Sequence, residues 1–276
     1  PGKFELPGDV SSQFVSGLLF ALPLLKGDSE IVITSPLESA SYVDMTLNCL
    51  AKYGVKVENV DGAHRHYLVP GKQLFKAQDS KVEGDWSQAA FWTVGGALGA
   101  GITASGVDFA SLQGDKAVVE IMQRMGADIA KNAGSVTVNS STTKATIIDA
   151  SDCPDIIPVL TVLAAVSEGT TKIINAGRLR IKECDRLAAI TSELNKMGAA
   201  ITEEPEGLTI TGKPEGLRGG VEADAWNDHR IAMSLAIAAQ CCAEPIILTG
   251  AGSVSKSYPD FWEDYKSVGG KIEVLA

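Results

Sequence analysis

A glycine in the same kind of surroundings recurs four times along this chain of 276 residues. In each copy it separates the end of a helix-like segment from a short strand-like segment. The four glycines, at spacings of 72, 72 and 71 residues, are Gly54, Gly126, Gly198 and Gly269. So regular a spacing predicts that the chain is built from about four copies of one structural unit.

Each copy contains an apolar helix, a short β-branched strand, an amphipathic helix and a closing strand, in that order. Apolar helices are expected near residues 12–25, 87–99, 155–167 and 229–242. β-Branched strands are expected at 31–33, 173–174 and 246–248, and closing strands directly after the four glycines, as at 55–57 and 271–272. Each glycine should adopt the left-handed conformation that ends helices. This order predicts an α/β protein with helices covering sheets, and the long period argues against a solenoid.

A polar stretch at residues 78–80 divides the chain into two parts. It lies between a strand-like segment at 67–69 and the segment 82–85. We predict a domain boundary here, with one domain over residues 1–80 and a second over 81–276. Low-complexity linkers are absent from the sequence.

The composition excludes several classes of protein. With 45% hydrophobic and 21% charged residues, the chain is globular and not disordered. Its net charge of −10 argues against a nucleic-acid-binding protein with a basic surface, and no apolar stretch could span a membrane, so neither partner is expected. Five cysteines without a CxxC pair predict reduced thiols and a cytoplasmic location.

Polar side chains gather where helices are expected to begin, and such positions attract anions. Ser11, Ser12 and Gln13 precede the first apolar helix, and Ser39 and Tyr42 precede the next helix. A single serine suffices as an ordinary N-cap. Two hydroxyls and an amide would also suit a phosphate, so both interpretations stay open for these residues.

The densest group of charges is the segment 180–186. Lys182 and Arg186 are four residues apart and are therefore expected on one helix face, with Glu183 beside them. The segment could be a solvated surface joined by the Glu183–Arg186 pair. However, two cations at a helix N-terminus oppose the helix dipole, and a bound anion would remove that conflict.

Further charged residues occupy equivalent positions in the other copies. Asp228 is expected to cap the helix that begins near His229 and Arg230, and Asp155 follows Pro154. The segment 255–260, which contains Lys256, is expected to start the last helix. Four cations could converge on one cleft and bind a substrate with several negative charges. These cations are Lys182, Arg186, Arg230 and Lys256.

Other chemistries find little support in the sequence. There is no phosphate-binding GxxxxGK[ST] loop, no GxGxxG segment after a strand and no GxSxG motif. His64 and His66 lack metal-ligand spacing and are interpreted as structural or surface residues. Cys184 is interpreted as a small packed side chain within the charged segment.

Taken together, these segments resemble the 5-enolpyruvylshikimate-3-phosphate synthase family. The resemblance lies in 179–186, 227–233 and 256–261, and also in 11–13 and 82–87, all in the family's order. It extends over essentially the whole chain and is specific in combination. It implies an inside-out α/β barrel architecture of two domains, each of three βαβαββ units around a pseudo-threefold axis, with the active site between them.

The resemblance also implies that two of six units are absent. Residues 1–80 would be the last unit of the first domain, and 81–276 a nearly complete second domain. The sequence begins at Pro1 without an initiator methionine. We expect a trimmed or split chain that lacks about 150 N-terminal residues and needs that segment as a partner for activity.

In this family the enolpyruvyl group of phosphoenolpyruvate is transferred to the 5-hydroxyl of shikimate 3-phosphate, with release of phosphate, during aromatic amino acid biosynthesis. The resemblance implies that Glu183 handles the proton at the methylene carbon and that Asp155 contacts the attacking hydroxyl. His229 and Lys256 are the other implied catalytic residues.

The resemblance also implies which residues bind the two substrates. Arg186, Arg230 and Lys256 would bind phosphoenolpyruvate. Shikimate 3-phosphate would be bound by Ser11, Ser12, Gln13, Ser39, Tyr42, Asp155 and Lys182. No metal or organic cofactor is implied.

Two alternatives differ from this assignment. One is a related transferase that uses a nucleotide sugar as acceptor, against which the segments 11–13 and 182–186 argue. The other is an inactive remnant that binds phosphoenolpyruvate or a partner weakly.

Overall fold

The structure, a computed structural model, describes residues 1–275. Its helices are α1 (Ser12–Ala21), α2 (Ala40–Lys52), α3 (Trp86–Leu98), α4 (Ala117–Arg124), α5 (Ile157–Ala165), α6 (Arg186–Lys196), α7 (His229–Ala239) and α8 (Phe261–Ser267). Short 3₁₀ helices cover Leu22–Leu24, Gly114–Lys116, Pro154–Ile156, Gly177–Ile181 and Ala251–Lys256. None of the helices in residues 1–275 has the length and apolar character needed to cross a membrane.

The strands are short and alternate with the helices. They are β1 (Lys3–Leu6), β2 (Ser29–Ile33), β3 (Glu58–Asn59), β4 (His66–Val69), β5 (Ile102–Ser105), β6 (Ile129–Asn132), β7 (Ser135–Val138), β8 (Ile147–Asp149), β9 (Thr170–Ile174), β10 (Ala200–Glu204), β11 (Gly207–Thr211), β12 (Leu217–Gly219), β13 (Glu222–Asp224), β14 (Cys242–Glu244) and β15 (Ile247–Thr249). The chain divides into two compact units, the first of Pro1–Val82 with Ala110–Gly114 and the second of Glu83–Phe109 with the residues from Asp115 onward.

The first unit is one mixed sheet with two helices. Its strand order is β1-β2-β4-β3, with β1 parallel to β2 and the other pairs antiparallel. Helices α1 and α2 pack on each other. Buried side chains such as Val15, Ile31, Val43 and Tyr67 form its core. The helix predicted over 12–25 ends at Ala21, and a 3₁₀ turn containing Pro23 follows it.

The second unit has four open sheets around a group of helices. The sheets have the orders β10-β11-β9-β8 and β5-β7-β6, with two small parallel pairs, β12 with β14 and β13 with β15. The apolar helices α3, α5 and α7 pack on one another and are buried along nearly their whole length. This burial on all sides explains why their sequences are apolar throughout and not amphipathic.

The four repeated glycines end helices in the same way, as predicted. Their φ angles are +79°, +94°, +102° and +98° in chain order. In the third copy, Gly198 N donates to Asn195 O at 3.0 Å and Ala199 N donates to Leu194 O at 3.0 Å. The same two bonds occur at Gly54, Gly126 and Gly269, so each copy has a Schellman motif.

Two of the predicted closing strands are wrong. After Gly54 the strand lies at Glu58–Asn59 and not at 55–57. After Gly269 residues 270–275 form no strand, because no other strand in the described residues pairs with them. An isolated extended segment leaves its backbone groups without ladder partners and is not a stable strand.

Candidate active site

The charged segment of the second unit is organised around Arg186, the first residue of α6. Its guanidinium is almost fully buried, with 1% of the side chain exposed. Nε donates to Asp228 Oδ2 at 2.8 Å, Nη1 to Asp155 Oδ1 at 2.8 Å and Nη2 to Glu183 Oε2 at 2.5 Å. Burial would lower the pKa of Arg186, but the carboxylates of Asp228 and Asp155 outweigh burial and raise it. Arg186 is therefore a permanent buried cation and not part of a solvated surface.

The prediction that Lys182 and Arg186 share a helix face is wrong. The helix begins only at Arg186, because Asp185 is its N-cap and accepts from Ala188 N at 3.0 Å. Lys182 follows the 3₁₀ helix Gly177–Ile181 in extended conformation. Nevertheless, its Nζ lies 3.9 Å from Asp155 Oδ1, the oxygen that also accepts from Arg186. The turn, and not the helix, brings the two cations together.

Asp155 is the carboxylate shared by three cations. Besides Lys182 and Arg186, Arg230 reaches it, with Nη2 at 3.1 Å from Oδ2 and Nη1 at 3.2 Å from the Asp155 carbonyl oxygen. Burial would raise the pKa of Asp155, but Arg230, Lys182 and Arg186 outweigh it and lower the pKa to about 2. Burial lowers the pKa of Lys182, an effect that Asp155 opposes. Asp155 is therefore ionised at neutral pH.

Asp228 joins this network to the start of α7. It caps the helix by accepting from Arg230 N at 2.8 Å, as predicted, and it also accepts from Arg186 and from Cys184 Sγ, the latter at 3.6 Å. His229 is mostly buried, and its Nδ1 makes no hydrogen bond within residues 1–275. Burial, followed by the charge of Arg230, lowers the pKa of His229. The imidazole is therefore neutral at physiological pH.

Lys256 attaches to the network through a backbone turn. It lies at the end of the 3₁₀ helix Ala251–Lys256, and α8 begins five residues later at Phe261, so its predicted place at the start of the last helix is wrong. Lys256 Nζ donates to the carbonyl oxygen of Asn227 and, at 2.9 Å, to Asn227 Oδ1. Asn227 directly precedes Asp228, so the lysine is tied to the turn that begins α7.

The structure thus brings together most of the residues predicted for the second unit. Its charged network contains Asp155, Lys182, Glu183, Arg186, Asp228 and Arg230, with Lys256 joined through Asn227. Sequence reasoning gave Asp228 only a capping role. Its position before the His229–Arg230 pair marks the helix start, but nothing in the spacing shows that Arg186 binds it.

The candidate residues of the first unit lie at the starts of its two helices. Ser11 is the N-cap of α1, and its Oγ accepts from Gln13 N at 3.2 Å, so ordinary capping accounts for one hydroxyl. Ser12 is buried in the first turn. Ser39 precedes α2 with a left-handed φ of +52°, and Tyr42 is half-buried in the first turn of that helix.

The histidines of the first unit make contacts within the chain. His64 Nδ1 lies 2.7 Å from Tyr67 Oη, and His66 Nε2 lies 3.3 Å from Glu30 Oε2. Residues 1–275 contain no group of three or more His, Cys, Asp or Glu side chains placed to hold a metal ion. These contacts agree with the interpretation of both histidines as structural or surface residues.

Comparison with known structures defines the class of protein. An EPSP synthase structure from Acinetobacter baumannii superposes with a TM-score of 0.84 at 29% identity, over 99% of this chain and 64% of that one. The enolpyruvyl transferase NikO from Streptomyces tendae has a TM-score of 0.79 at 20% identity, over 99% of this chain and 65% of that one, and supports the fold alone. The fold is that of the enolpyruvyl transferases.

Sequence comparison is more specific. The family described as EPSP synthase (3-phosphoshikimate 1-carboxyvinyltransferase) matches residues 2–265, and the chain belongs to this family. Proteins named 3-phosphoshikimate 1-carboxyvinyltransferase are 55% identical in Clostridium kluyveri and 51% identical in Clostridium novyi, each over 99% of this chain. The chain spans 63% and 62%, respectively, of the length of these curated relatives.

Proposed function

We propose that this chain transfers the enolpyruvyl group of phosphoenolpyruvate to the 5-hydroxyl of shikimate 3-phosphate and releases phosphate. The observation that supports this most strongly is the convergence of Lys182, Arg186 and Arg230 on one carboxylate, Asp155, in a member of this family. Phosphoenolpyruvate has a phosphate and a carboxylate, and guanidinium groups bind both kinds of anion through paired hydrogen bonds.

The chemistry assigns distinct roles to the two acidic residues. A proton must be added to the methylene carbon while the hydroxyl oxygen attacks the neighbouring carbon and loses its proton. The resulting methyl group must then lose a proton as phosphate leaves. Glu183, whose side chain is 40% exposed, is the candidate for proton exchange at this carbon. Asp155, with its pKa lowered to about 2, is a weak base and would accept a hydrogen bond that orients the hydroxyl.

The family resemblance supports the remaining roles, and the charges of these residues suit them. Arg186, Arg230 and Lys256 would bind phosphoenolpyruvate. The neutral imidazole of His229, which directly precedes Arg230 in the sequence, would act near them. Among the described residues, Asp155 is the one carboxylate that Lys182 contacts, at 3.9 Å. The ammonium of Lys182 can therefore still bind an anion. In the first unit, shikimate 3-phosphate would bind at the helix starts of Ser11, Ser12, Gln13, Ser39 and Tyr42.

We also propose that catalysis requires further repeats, supplied by the part of the longer relatives with which this chain does not align. In the second unit, α3, α5 and α7 bury one another. The corresponding helix of the first unit, α1, has exposed apolar residues on it or close to its ends: Val10 (44% exposed), Phe14 (60%), Phe20 (41%) and Leu24 (54%). An apolar surface of this kind suits two more helices equivalent to α5 and α7. With them, the chain would match the predicted arrangement of two domains divided near residue 80.

The test is an assay of phosphate release from phosphoenolpyruvate and shikimate 3-phosphate. The chain is assayed alone and with the part of the Clostridium kluyveri relative that it does not align with. We expect turnover only from the combination, and at least a hundredfold loss with Glu183→Gln, on the order of general acid–base catalysis. Glu120→Gln, at an exposed position of α4, is the matched control.

Three results would contradict parts of this proposal. Phosphate release by the chain alone would show that further repeats are unnecessary. Turnover of the combination with a nucleotide sugar, and none with shikimate 3-phosphate, would assign the other acceptor. A pair that associates tightly without any turnover would instead indicate a binding remnant.

A further inference from the structure

The turn between β13 and α7 has an unusual backbone. Two consecutive residues, Trp226 and Asn227, are left-handed, with φ angles of +51° and +52°. Neither is a glycine, and a bulky side chain at positive φ is unfavourable unless its surroundings enforce it. The turn leads directly into Asp228, His229 and Arg230, so its conformation fixes where these three residues lie.

A buried carboxylate on α6 holds this turn. The side chain of Glu193 is 1% exposed. Its Oε1 accepts from Trp226 Nε1 at 2.9 Å and its Oε2 accepts from Asp224 N at 3.1 Å. On its solvent side, Lys196 Nζ donates to both oxygens, at 2.9 and 2.7 Å. Glu193 is thus fully paired, and two of its four bonds go to the strained turn.

Helix α6 therefore holds the segment from Asp224 to Asp228 at both of its ends. Arg186 and Glu193 are seven residues apart, which is about two helical turns, so both side chains leave the same face of α6. Arg186 binds Asp228 at the C-terminal end of the segment. Glu193 binds Trp226 and the backbone of Asp224 at its N-terminal end.

The other side of the turn determines the place of Lys256. The ammonium donates to the backbone carbonyl and to the side-chain amide oxygen of Asn227. Both acceptors belong to a residue with left-handed φ. If Asn227 relaxed to a right-handed conformation, its carbonyl oxygen would point elsewhere and Lys256 would lose this pair of acceptors.

We propose that Glu193 is a positioning residue for the proposed phosphoenolpyruvate site, acting through Trp226 and Asn227 on His229, Arg230 and Lys256. It is not a catalytic residue, since its carboxylate is buried and satisfied by the turn and by Lys196. The identity of the ligand, phosphoenolpyruvate, rests on the proposed function. The link from Glu193 through the turn to Lys256 rests on the hydrogen bonds described above.

The first test needs no ligand. The pKa of His229 is measured by NMR in the full chain and in Glu193→Ala, Trp226→Phe and Lys196→Ala. The charges that act on this imidazole are Arg230, Asp228, Arg186 and Glu183, and burial lowers its pKa most. A relaxed turn exposes the ring, so Glu193→Ala and Trp226→Phe should raise the pKa of His229 towards its ordinary value.

Lys196→Ala is the matched control, because it removes a partner of Glu193 without touching the turn. We expect no change in the pKa of His229 in this variant. The two other histidines, His64 and His66, belong to the first unit and serve as internal references in every spectrum. A thermal melt followed by circular dichroism verifies that each variant is folded, and Trp226→Phe decides the question if Glu193→Ala does not fold.

The second test measures phosphoenolpyruvate affinity by calorimetry. A lost hydrogen bond to a charged group corresponds to about tenfold weaker binding, which we expect for Glu193→Ala and for Trp226→Phe. The double variant should bind no more than about twofold more weakly than Glu193→Ala, because both changes break one link. If the unaltered chain binds no phosphoenolpyruvate, the affinities are measured with the combination used in the phosphate-release assay. Absence of binding there as well contradicts the proposed function, while the His229 titration still tests the link from Glu193 to the turn. An unchanged pKa of His229 in folded Trp226→Phe overturns the inference, as does unchanged affinity in a chain that binds.

Discussion

At the scale of single residues, Arg186 shows how this fold accommodates a buried cation. Three of its nitrogens donate to three different carboxylates, which come from separate parts of the chain. Removing one carboxylate would leave buried positive charge without its partner, which is strongly destabilising. Lysine is a poor substitute, because an ammonium is a compact charge and cannot reproduce the planar fork of a guanidinium.

Asp155 makes the stability of the chain dependent on pH in the acid range. Three cations outweigh its burial and lower its pKa from 3.8 to about 2. A carboxylate whose pKa is lowered by folding stabilises the folded state above its unfolded pKa, and this contribution is lost as the pH falls through the folded pKa. At 1.4 kcal/mol per pKa unit, the contribution is on the order of 2 kcal/mol, lost between about pH 4 and pH 2.

Asp155→Asn should therefore lower the free energy of unfolding at pH 6 and lose most of that effect near pH 2. Urea unfolding of both proteins across this pH range measures the difference. Asp152→Asn, at an exposed position three residues away, should give only a small difference. If the free energies of unfolding of Asp155→Asn and of the unaltered chain differed by the same amount at pH 6 and at pH 2, the three cations would not be holding Asp155 ionised.

At the scale of secondary-structure elements, the repeated Schellman motif allows the energetic cost of backbone conformation to be measured separately from steric clashes. A Cβ built on Gly126 meets only Thr142 O, at 3.8 Å, so an alanine has room there. Its φ of +94° is nonetheless unfavourable for any side chain. We expect Gly126→Ala to lower the free energy of unfolding by about 1–2 kcal/mol.

The matched control for this element is Gly252, in the 3₁₀ helix Ala251–Lys256. A Cβ there meets nothing within 4 Å, and its φ is not positive. Gly252→Ala should therefore change the free energy of unfolding by less than about 0.5 kcal/mol. Both values come from urea unfolding monitored by tryptophan fluorescence, and equal effects of the two variants would contradict the conformational explanation.

These elements also show how far the sequence could predict the structure. Helix ends were predictable, because a glycine at the end of an apolar stripe acts through its own backbone and its nearest neighbours. The exact start of a helix was not predictable: Lys182 and Arg186 were expected on one helix face, but the Asp185 cap places the start of α6 at Arg186, four residues after Lys182. The bond from Arg186 to Asp228 joins residues 42 apart, and only the packing of α6 against α7 reveals it.

At the scale of the whole molecule, the two units differ greatly in the size of their cores. Among the described residues, ten buried hydrophobic side chains form the core of the first unit and fifty form that of the second. The first unit has fewer than 90 residues and one sheet. A small core stabilises a domain only marginally, since a short chain buries a smaller fraction of its surface on folding.

We therefore expect the first unit to unfold at a lower urea concentration than the second. All four tryptophans, Trp86, Trp92, Trp226 and Trp262, lie in the second unit, so their fluorescence reports on that unit alone. Far-UV circular dichroism reports on the helices of both units. The circular dichroism signal should begin to fall before the tryptophan emission changes, which a two-state transition does not allow.

A pair of core variants assigns each transition to its unit. Leu19→Ala in the first core and Leu160→Ala in the second each remove a fully buried side chain, which costs about 2–5 kcal/mol. Leu19→Ala should shift only the early change in circular dichroism, and Leu160→Ala should shift the tryptophan transition. Superimposable curves from the two probes, displaced together by either variant, would show that the units unfold as one. In that case the small first core would derive its stability from the second, and the exposed face of α1 would not need further repeats for the first unit to stay folded.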